Sequence, residues 1–283
     1  PVLSVAVEPK TRSDQDKMSA ALVKLSDEDP TLQVRTDDET AQILLAGMGE
    51  LHLDVVVERM RREFDVGATV GAPRVAYRET ATKTSQAQGK FIKQTGGHGQ
   101  YGDCTLRIEP LDPGSGIIFE SEITGSTLPR EYFKSIEAGY REAAQSGFIA
   151  GYPVVDVKAV LTDGSHHEVD SSEMAFKVAA SMAFKSAMSK ANAVILEPVM
   201  RIEVITPSQF LGDVIGDLNS RRASVQNTET RSDIQVVNAF IPLAETFQYA
   251  TRLRSLTTGR AGFSMEIDHY ARVPSKLVEK VVK

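Results

Sequence analysis

Apolar positions along the 283-residue chain change period several times, and the changes mark out elements. VLSVAVEP (residues 2–9) alternates apolar and polar positions, as a half-buried strand does. Ser13-Asp14-Gln15-Asp16 then offers a helix start, and Met18, Leu22 and Leu25 follow at helical spacing up to Asp29-Pro30. LQVRT (32–36) and AQILLAGM (41–48) flank Asp37-Asp38-Glu39 as a hairpin. GELHLDVVVERMRREF (49–64) predicts a helix with Leu51, Val55, Met60 and Phe64 on its apolar face, and residues 68–80 predict a strand. The order is βαββαβ, the ferredoxin-like unit.

The last third repeats that order. MRIEVITP (200–207) reads as a strand, and Thr206-Pro207 as the cap and first residue of a helix through Leu218. Residues 223–230 and 232–242 form a hairpin, residues 243–259 an amphipathic helix closed by Gly259, and residues 261–273 the final strand. Between the repeats lie strands near 90–94, 103–110 and 117–123, a helix over 128–147 closed by Gly147, and a strand over 152–164. A small-residue helix over 171–191 follows, with Asp170 or Ser171 as its cap and Glu173 in its first turn. The expected class is α+β: two ferredoxin-like βαββαβ domains (1–79 and 199–283) flanking a middle α+β domain (80–198).

Composition alters this picture little. Hydrophobic content of 41% and charged content of 25% belong to ordinary globular chains, and no apolar run approaches the roughly 20 residues of a membrane span. The single cysteine, Cys104, excludes an internal disulfide framework and a cysteine-based zinc site, and it fits a reducing cytoplasm. A start at Pro1 without an initiator Met reads as part of something longer. The net charge of −6 argues against a nonspecific nucleic-acid binder. Charge is uneven, however. Residues 1–79 hold 10 Lys and Arg against 15 Asp and Glu, whereas residues 199–283 hold 11 against 9. Arg221, Arg222, Arg252, Arg254 and Arg260 fall there in two clusters, suited to rRNA or phosphate.

Four stretches carry candidate chemistry. GHGQYG (97–102) has the G-x-G-x-x-G spacing of a dinucleotide loop. That loop needs a helix directly after it, and DCTLRIEP (103–110) reads as a strand, so a hairpin tip is expected instead. No G-x-x-x-x-G-K-[ST] phosphate loop occurs. DGSHHEVDSSE (163–173) holds two histidines, carboxylates and hydroxyls. Adjacent His166 and His167 on a strand would point to opposite faces, which disfavours joint chelation. His52, in GMGELHLDVVVERM (47–60), lacks the H-E-x-x-H spacing and reads as a surface or interface histidine. The fourth stretch is the arginine clusters.

Around these stretches the sequence resembles the C-terminal half, domains III, IV and V, of bacterial translation elongation factor G. PVLSVAVEPKTRSDQDKM, EDPTLQVRTDDET and LAGMGELHLDVVVERMRREF are similar to domain III. KQTGGHGQYG, LPREYF, AGYPVVDVKAVLTDGSHHEVDSSEMAFKVAAS and ILEPVM are similar to domain IV, the ribosomal-protein-like, tRNA-mimicking arm. EVITPSQFLGDVIGDLNSRR and YATRLRSLTTGRAGFSMEIDHY are similar to domain V. The resemblance implies a ribosome-binding part of a GTPase that drives translocation of tRNA and mRNA. It implies a domain IV tip of two loops that touches the tRNA–mRNA duplex in the small-subunit decoding centre. That tip would comprise Gly96, Gly97, His98, Gly99, Gln100, Tyr101, Ser165, His166, His167 and Glu168, with Gln100 and His167 as the foremost contacts.

Arg221, Arg222, Arg254 and Arg260 would face large-subunit rRNA near the sarcin–ricin loop and the stalk base. Met48 and His52 would lie towards the GTPase domain and the fusidic acid pocket. No catalytic residue, metal or cofactor is implied for this chain. GTP and Mg would belong to a preceding GTPase domain, which with domain II would act in cis. A cytoplasmic monomer with no membrane partner is expected. The physical requirement agrees: a variable codon–anticodon duplex is read by backbone and shape, through hydrogen-bonding side chains on a close-approaching loop. His98 stands where the family usually has arginine, and His166 where tyrosine is common. A recycling paralogue and a tetracycline-resistance ribosomal protection protein are the alternatives within the superfamily. A free-standing enzyme using His167 with Asp170 or Ser171 is the alternative outside it, and would need a concave pocket.

Overall fold

The structure, a computed structural model, describes residues 3–38, 40–48, 50–95 and 97–282. The chain divides into two compact units. One comprises Pro1–Ala76 with Pro198–His269, the other Tyr77–Glu197 with Tyr270–Lys283.

The first stretch forms β1 (Leu3–Pro9), α1 (Arg12–Glu28), β2 (Gln33–Thr36), β3 (Ile43–Gly47), α2 (Glu50–Phe64) and β4 (Ala68–Gly71). The sheet runs β2-β3-β1-β4 and is antiparallel throughout, which is the ferredoxin-like arrangement expected. Val7, Met18, Leu22, Leu25, Leu45, Leu53 and Met60 close its core. Two local expectations shift. The cap of α1 is Thr11, two residues early: its hydroxyl accepts from Asp14 N–H and donates to the Asp14 carboxylate. The buried face of α2 carries Leu53, Val56 and Met60, while Leu51 (77% exposed) and Val55 (50%) face out. Met60 and Phe64 of the expected face do turn to the core. Leu51 and Val55 lie on roughly the opposite side of the helix, because α2 has apolar residues on more than one side.

The middle stretch begins with β5 (Arg78–Thr80), expected to continue β4 but placed in another sheet. There follow β6 (Ser85–Thr95), β7 (His98–Pro110), β8 (Ile117–Ser121), α3 (Phe133–Ser146), β9 (Val157–Ser165) and α4 (Glu173–Lys190). Four of these strands form a sheet in the order β6-β7-β9-β8, with only β8 and β9 parallel. One irregularity matters below. Leu106 faces Leu161 but Thr105 faces Asp163, so Thr162 is an extra residue on β9. Helix α4 lies close on the sheet because two strand residues lack side chains. A Cβ at Gly89 would sit 2.0 Å from Ala179 O, and one at Gly102 2.3 Å from Ala175 O. Buried Ala179, Ala180, Ala183, Tyr140, Phe184 and Ile136 fill the layer. Cys104 is among them, and burial pushes its thiol up to about 12.

Glu79 of β5 is fully buried. Its Oε2 accepts from Phe148 and Ile149 N–H (2.7 and 2.8 Å), and its Oε1 from Ala150 and Tyr152 N–H (2.8 and 3.2 Å). A single carboxylate thereby organises the loop after α3, whose exit is Gly147 at φ 75°. Residues 152–156, expected as strand, are mostly irregular.

The last stretch forms β10 (Val194–Pro207), α5 (Leu211–Ser220), β11 (Ser224–Arg231), β12 (Ile234–Pro242), α6 (Tyr249–Thr257) and β13 (Gly262–Arg272). Its order, β11-β12-β10-β13, again is ferredoxin-like; the first residues of β10, Val194–Leu196, pair with β5. Ile202, Val204, Leu218, Ile241, Tyr249 and Leu253 are its core. Pro207 ends the strand and does not open a helix, since a 3-10 turn over Ser208–Phe210 precedes α5. Helix α6 starts at Tyr249, six residues later than expected, after Gln248 at φ 61°. A short helix that the apolar pattern does not mark, α7 (Ser275–Val281), ends the described chain, and Tyr152 Oη donates to Val281 O at 2.7 Å.

Candidate functional site

The G-x-G-x-x-G stretch lies on a hairpin, with Thr95 opposite His98, Gln94 opposite Gly99 and Lys93 opposite Gln100. His98–Gly102 are the first residues of β7 itself, so the glycines run on into a strand and do not open a helix. The dinucleotide reading is excluded by geometry. Each described glycine has its own role. Gly97 takes φ 134° with open space around it, which suits the turn. At Gly99 a Cβ would meet the Asp170 carboxylate at 3.0 Å, and Gly102 makes room for α4. Clearance at Gly99 and Gly102 thus serves the protein's own second loop and helix. Gly96 lies outside the described residues, and only the backbone of His98 is described.

The second loop, residues 166–172, is bonded to that hairpin. Gly99 N–H donates to Asp170 Oδ1 (3.0 Å), and Tyr101 N–H to Asp170 O (2.7 Å). Asp170, expected among the candidate caps of α4, clasps the two loops instead, and Ser172 caps the helix by accepting from Ala175 N–H. Three candidate caps stand in a row, and Asp170-x-x-Glu173 favours the wrong one because the helix starts later. Ser171 Oγ accepts from His167 N–H at 2.8 Å.

Behind the tip runs a directed chain of hydrogen bonds. Ser165 Oγ donates to Asp103 Oδ2 (2.6 Å), which leaves it to accept from Tyr101 Oη at 2.7 Å. Gln88 Nε2 donates to the other Asp103 oxygen. The rings of Tyr101 and His167 lie 6.2 Å apart, and the Lys90 ammonium stands 5.6 Å over Tyr101. Gln100, His166, His167, Glu168 and Val169 are exposed, with His167's side chain at 55% and Val169 at 67%. These side chains of the two loops are therefore open to solvent. His167 Nδ1 faces the N–H groups of Val169 and Asp170, and it lies 3.6 Å from Asp170 Oδ2, too far for a hydrogen bond. Ser171 bonds the backbone, so no Ser-His-Asp relay is assembled.

The arginines of the last stretch divide by burial. Arg221 bonds Asp217 (2.9 Å) and Glu245 O (2.8 Å) and lies 5.2 Å over the Tyr249 ring; Arg222 bonds Glu245 at 2.9 Å. Both are held by the fold. Arg252, Arg254 and Arg260 are exposed, although Arg252 also pairs with Asp217, Arg254 donates to Met48 O (3.1 Å), and Arg260 stands over Phe210. His52 is partly buried: Nδ1 accepts from Met48 N–H (3.1 Å) and Nε2–H donates to Asp29 (2.7 Å). Two bonds from Thr31, and then His52, hold the Asp29 carboxyl below its ordinary value. Met48 and Val55 are half-exposed, and Leu51 is exposed.

Family comparison gives three consecutive matches along the chain. Residues 1–72 match "Elongation Factor G, domain III", residues 73–192 match "Elongation factor G, domain IV", and residues 194–281 match "Elongation factor G C-terminus". The chain belongs to the elongation factor G family. A crystal structure of a protein from Thermus thermophilus is similar over 100% of the chain, with 45% identity and a TM-score of 0.86. The chain spans 42% of that protein's length. The two loops thus belong to domain IV, and the arginines discussed above to the C-terminal domain. Among the described residues no helix is long and apolar enough to cross a membrane, and no cluster of His, Cys, Asp and Glu could hold a metal ion.

Proposed function

We propose that the chain is the ribosome-facing part of a GTP-dependent translocase, with the domain IV tip entering the small-subunit decoding centre to touch the tRNA–mRNA duplex. The observation that carries this reading is the clasp at Asp170, which makes two exposed loops one bonded unit. Such a unit can push or exclude a duplex without reading its sequence, because its contacts are hydrogen-bonding side chains and close backbone. A rigid arm transmits rigid-body motion. In this reading Gln100, His167 and their neighbours meet RNA, and exposed Arg254 and Arg260 meet large-subunit rRNA near the stalk base. Arg221 and Arg222 contribute field and shape more than direct contact. Met48 and His52 face the GTPase domain. GTP and Mg belong to that domain, this chain holds no cofactor, and the factor works as a cytoplasmic monomer, its domains being 1–79, 80–198 and 199–283.

The test is single-turnover translocation by the full-length factor carrying His167→Ala. A large fall in rate with ribosome-stimulated GTP hydrolysis unchanged is expected. An unaffected rate sinks the tip assignment. Parallel assay of ribosome splitting separates a translocase from a recycling paralogue.

A further inference from the structure

The neighbouring histidines of the tip have opposite hydrogen-bonding surroundings, and these fix which nitrogen carries the proton. His167 Nδ1 receives two main-chain N–H groups, from Val169 (3.3 Å) and Asp170 (3.2 Å). An N–H can only donate, so Nδ1 must present its lone pair and the ring proton must sit on Nε2. The alternative, a proton on Nδ1 aimed at Asp170, would turn three donors on one point. The Asp170 carboxylate is moreover engaged through Oδ1 with Gly99 N–H. His166 Nδ1 lies 3.2 Å from Thr127 O. A carbonyl can only accept, so His166 Nδ1 carries a proton, and in the neutral ring Nε2 is left as an acceptor.

We infer that the tip holds two adjacent imidazoles in opposite tautomers, with His167 presenting a fixed Nε2–H donor to an oxygen acceptor of RNA and His166 presenting a lone pair. This rests on the translocase reading for the identity of the ligand, but not for the tautomers. Neutral donors suit the task. A cationic group would bind phosphate more strongly and slow release, whereas one neutral hydrogen bond discriminates position at modest strength. The loop backbone does the fixing, so the positioning residues are Val169 and Asp170 through their main chain. The acceptor is a phosphate oxygen or a ribose 2′-hydroxyl, which share this chemistry.

Three measurements test it. First, nitrogen NMR of the ¹⁵N-histidine-labelled 283-residue chain, above the ordinary histidine titration range, should show His167 protonated at Nε2 with bare Nδ1, and His166 the reverse. A proton on His167 Nδ1, or rapid averaging of both tautomers, overturns the inference whatever the chain does on the ribosome. Second, the full-length factor is compared as His167→Gln, His167→Asn and His167→Ala. Glutamine can carry an N–H to the place of Nε2–H, whereas asparagine reaches only the place of Nδ1. Glutamine should keep translocation within a few-fold of wild type, and asparagine should lose about tenfold, as alanine does. Equal activity of glutamine and asparagine, both above alanine, overturns the donor assignment. If alanine itself costs nothing, the translocase reading of the tip fails while the NMR result stands.

Third, the codon–anticodon duplex is given single 2′-deoxy or methylphosphonate substitutions. Sensitivity to one of them, lost in His167→Ala, identifies hydroxyl or phosphate; sensitivity to neither overturns the RNA-oxygen acceptor.

Discussion

Replacing Glu79 by Gln tests how one buried carboxylate organises domain IV. The side chains are nearly isosteric, so no cavity opens, and the change is confined to charge and acceptor count. Each Glu79 oxygen accepts two main-chain N–H groups. Whichever oxygen becomes the amide nitrogen, two N–H donors lose their acceptor and meet another donor. A buried donor left unsatisfied costs about 1–3 kcal/mol. With Glu79 itself fully buried and the donors only partly so, the pair of losses comes to about 3 kcal/mol. Against the ~5–15 kcal/mol that holds a typical domain folded, that lowers the folded-to-unfolded ratio about 100-fold. The chain has no tryptophan, so urea unfolding should be followed by far-UV circular dichroism. Amide exchange should be read at Phe148, Ile149, Ala150 and Tyr152. Loss of protection at those four amides should exceed that elsewhere in the same unit. A midpoint equivalent to less than ~0.5 kcal/mol, with protection unchanged, would refute the reasoning.

Three further outcomes are expected. Gly102→Ala should destabilise by about 1–3 kcal/mol, because its Cβ would meet Ala175 O at 2.3 Å and the backbone of α4 must shift; thermal unfolding checks this, and an unchanged midpoint would contradict it. Cys104, with its thiol pushed up to about 12 by burial, should resist alkylation at neutral pH until urea unfolds the chain, which mass spectrometry reads directly. Glu109 is held below the ordinary carboxyl value, first by Arg107 and then by Lys158. A carboxyl lowered on folding adds stability above its unfolded value and loses it as pH falls through that value towards the folded one. The urea midpoint should therefore drop on acidification below about pH 4.5, and drop less steeply in Arg107→Ala.

Fold class and element order were legible because the periods of two and 3.6 are long and clean in stretches such as LSVAVEP and the helix bearing Met18, Leu22 and Leu25. The hairpin at GHGQYG was legible too, since a strand pattern followed the glycines at once. What escaped was decided by contacts distant in sequence. Ser172 caps α4 because Asp170 is already bonded to Gly99, 71 residues away. The buried side of α2 was legible only at Met60 and Phe64, because Leu51 and Val55 are apolar yet exposed. Gly102 completes a G-x-G-x-x-G spacing in the sequence, and only the three-dimensional approach of α4 explains why a glycine stands there. Arg221 and Arg222 looked alike with Arg254 and Arg260 in sequence. Their commitment to Asp217 and Glu245 depends on how α5 meets the turn at residues 243–245.

The extra residue on β9 has a mechanical meaning. Pairing resumes beyond Thr162 with Thr105 opposite Asp163 and Asp103 opposite Ser165, so the additional residue changes no partner. Its effect is on curvature, since a bulged strand bends and twists more than its neighbour. Shortening β9 by deleting Thr162 would keep every pair in place and take out the bend, leaving the second loop to leave the sheet along a straighter line. Chain length at that one position thus sets the angle at which the loop departs, independently of what the loop's residues are.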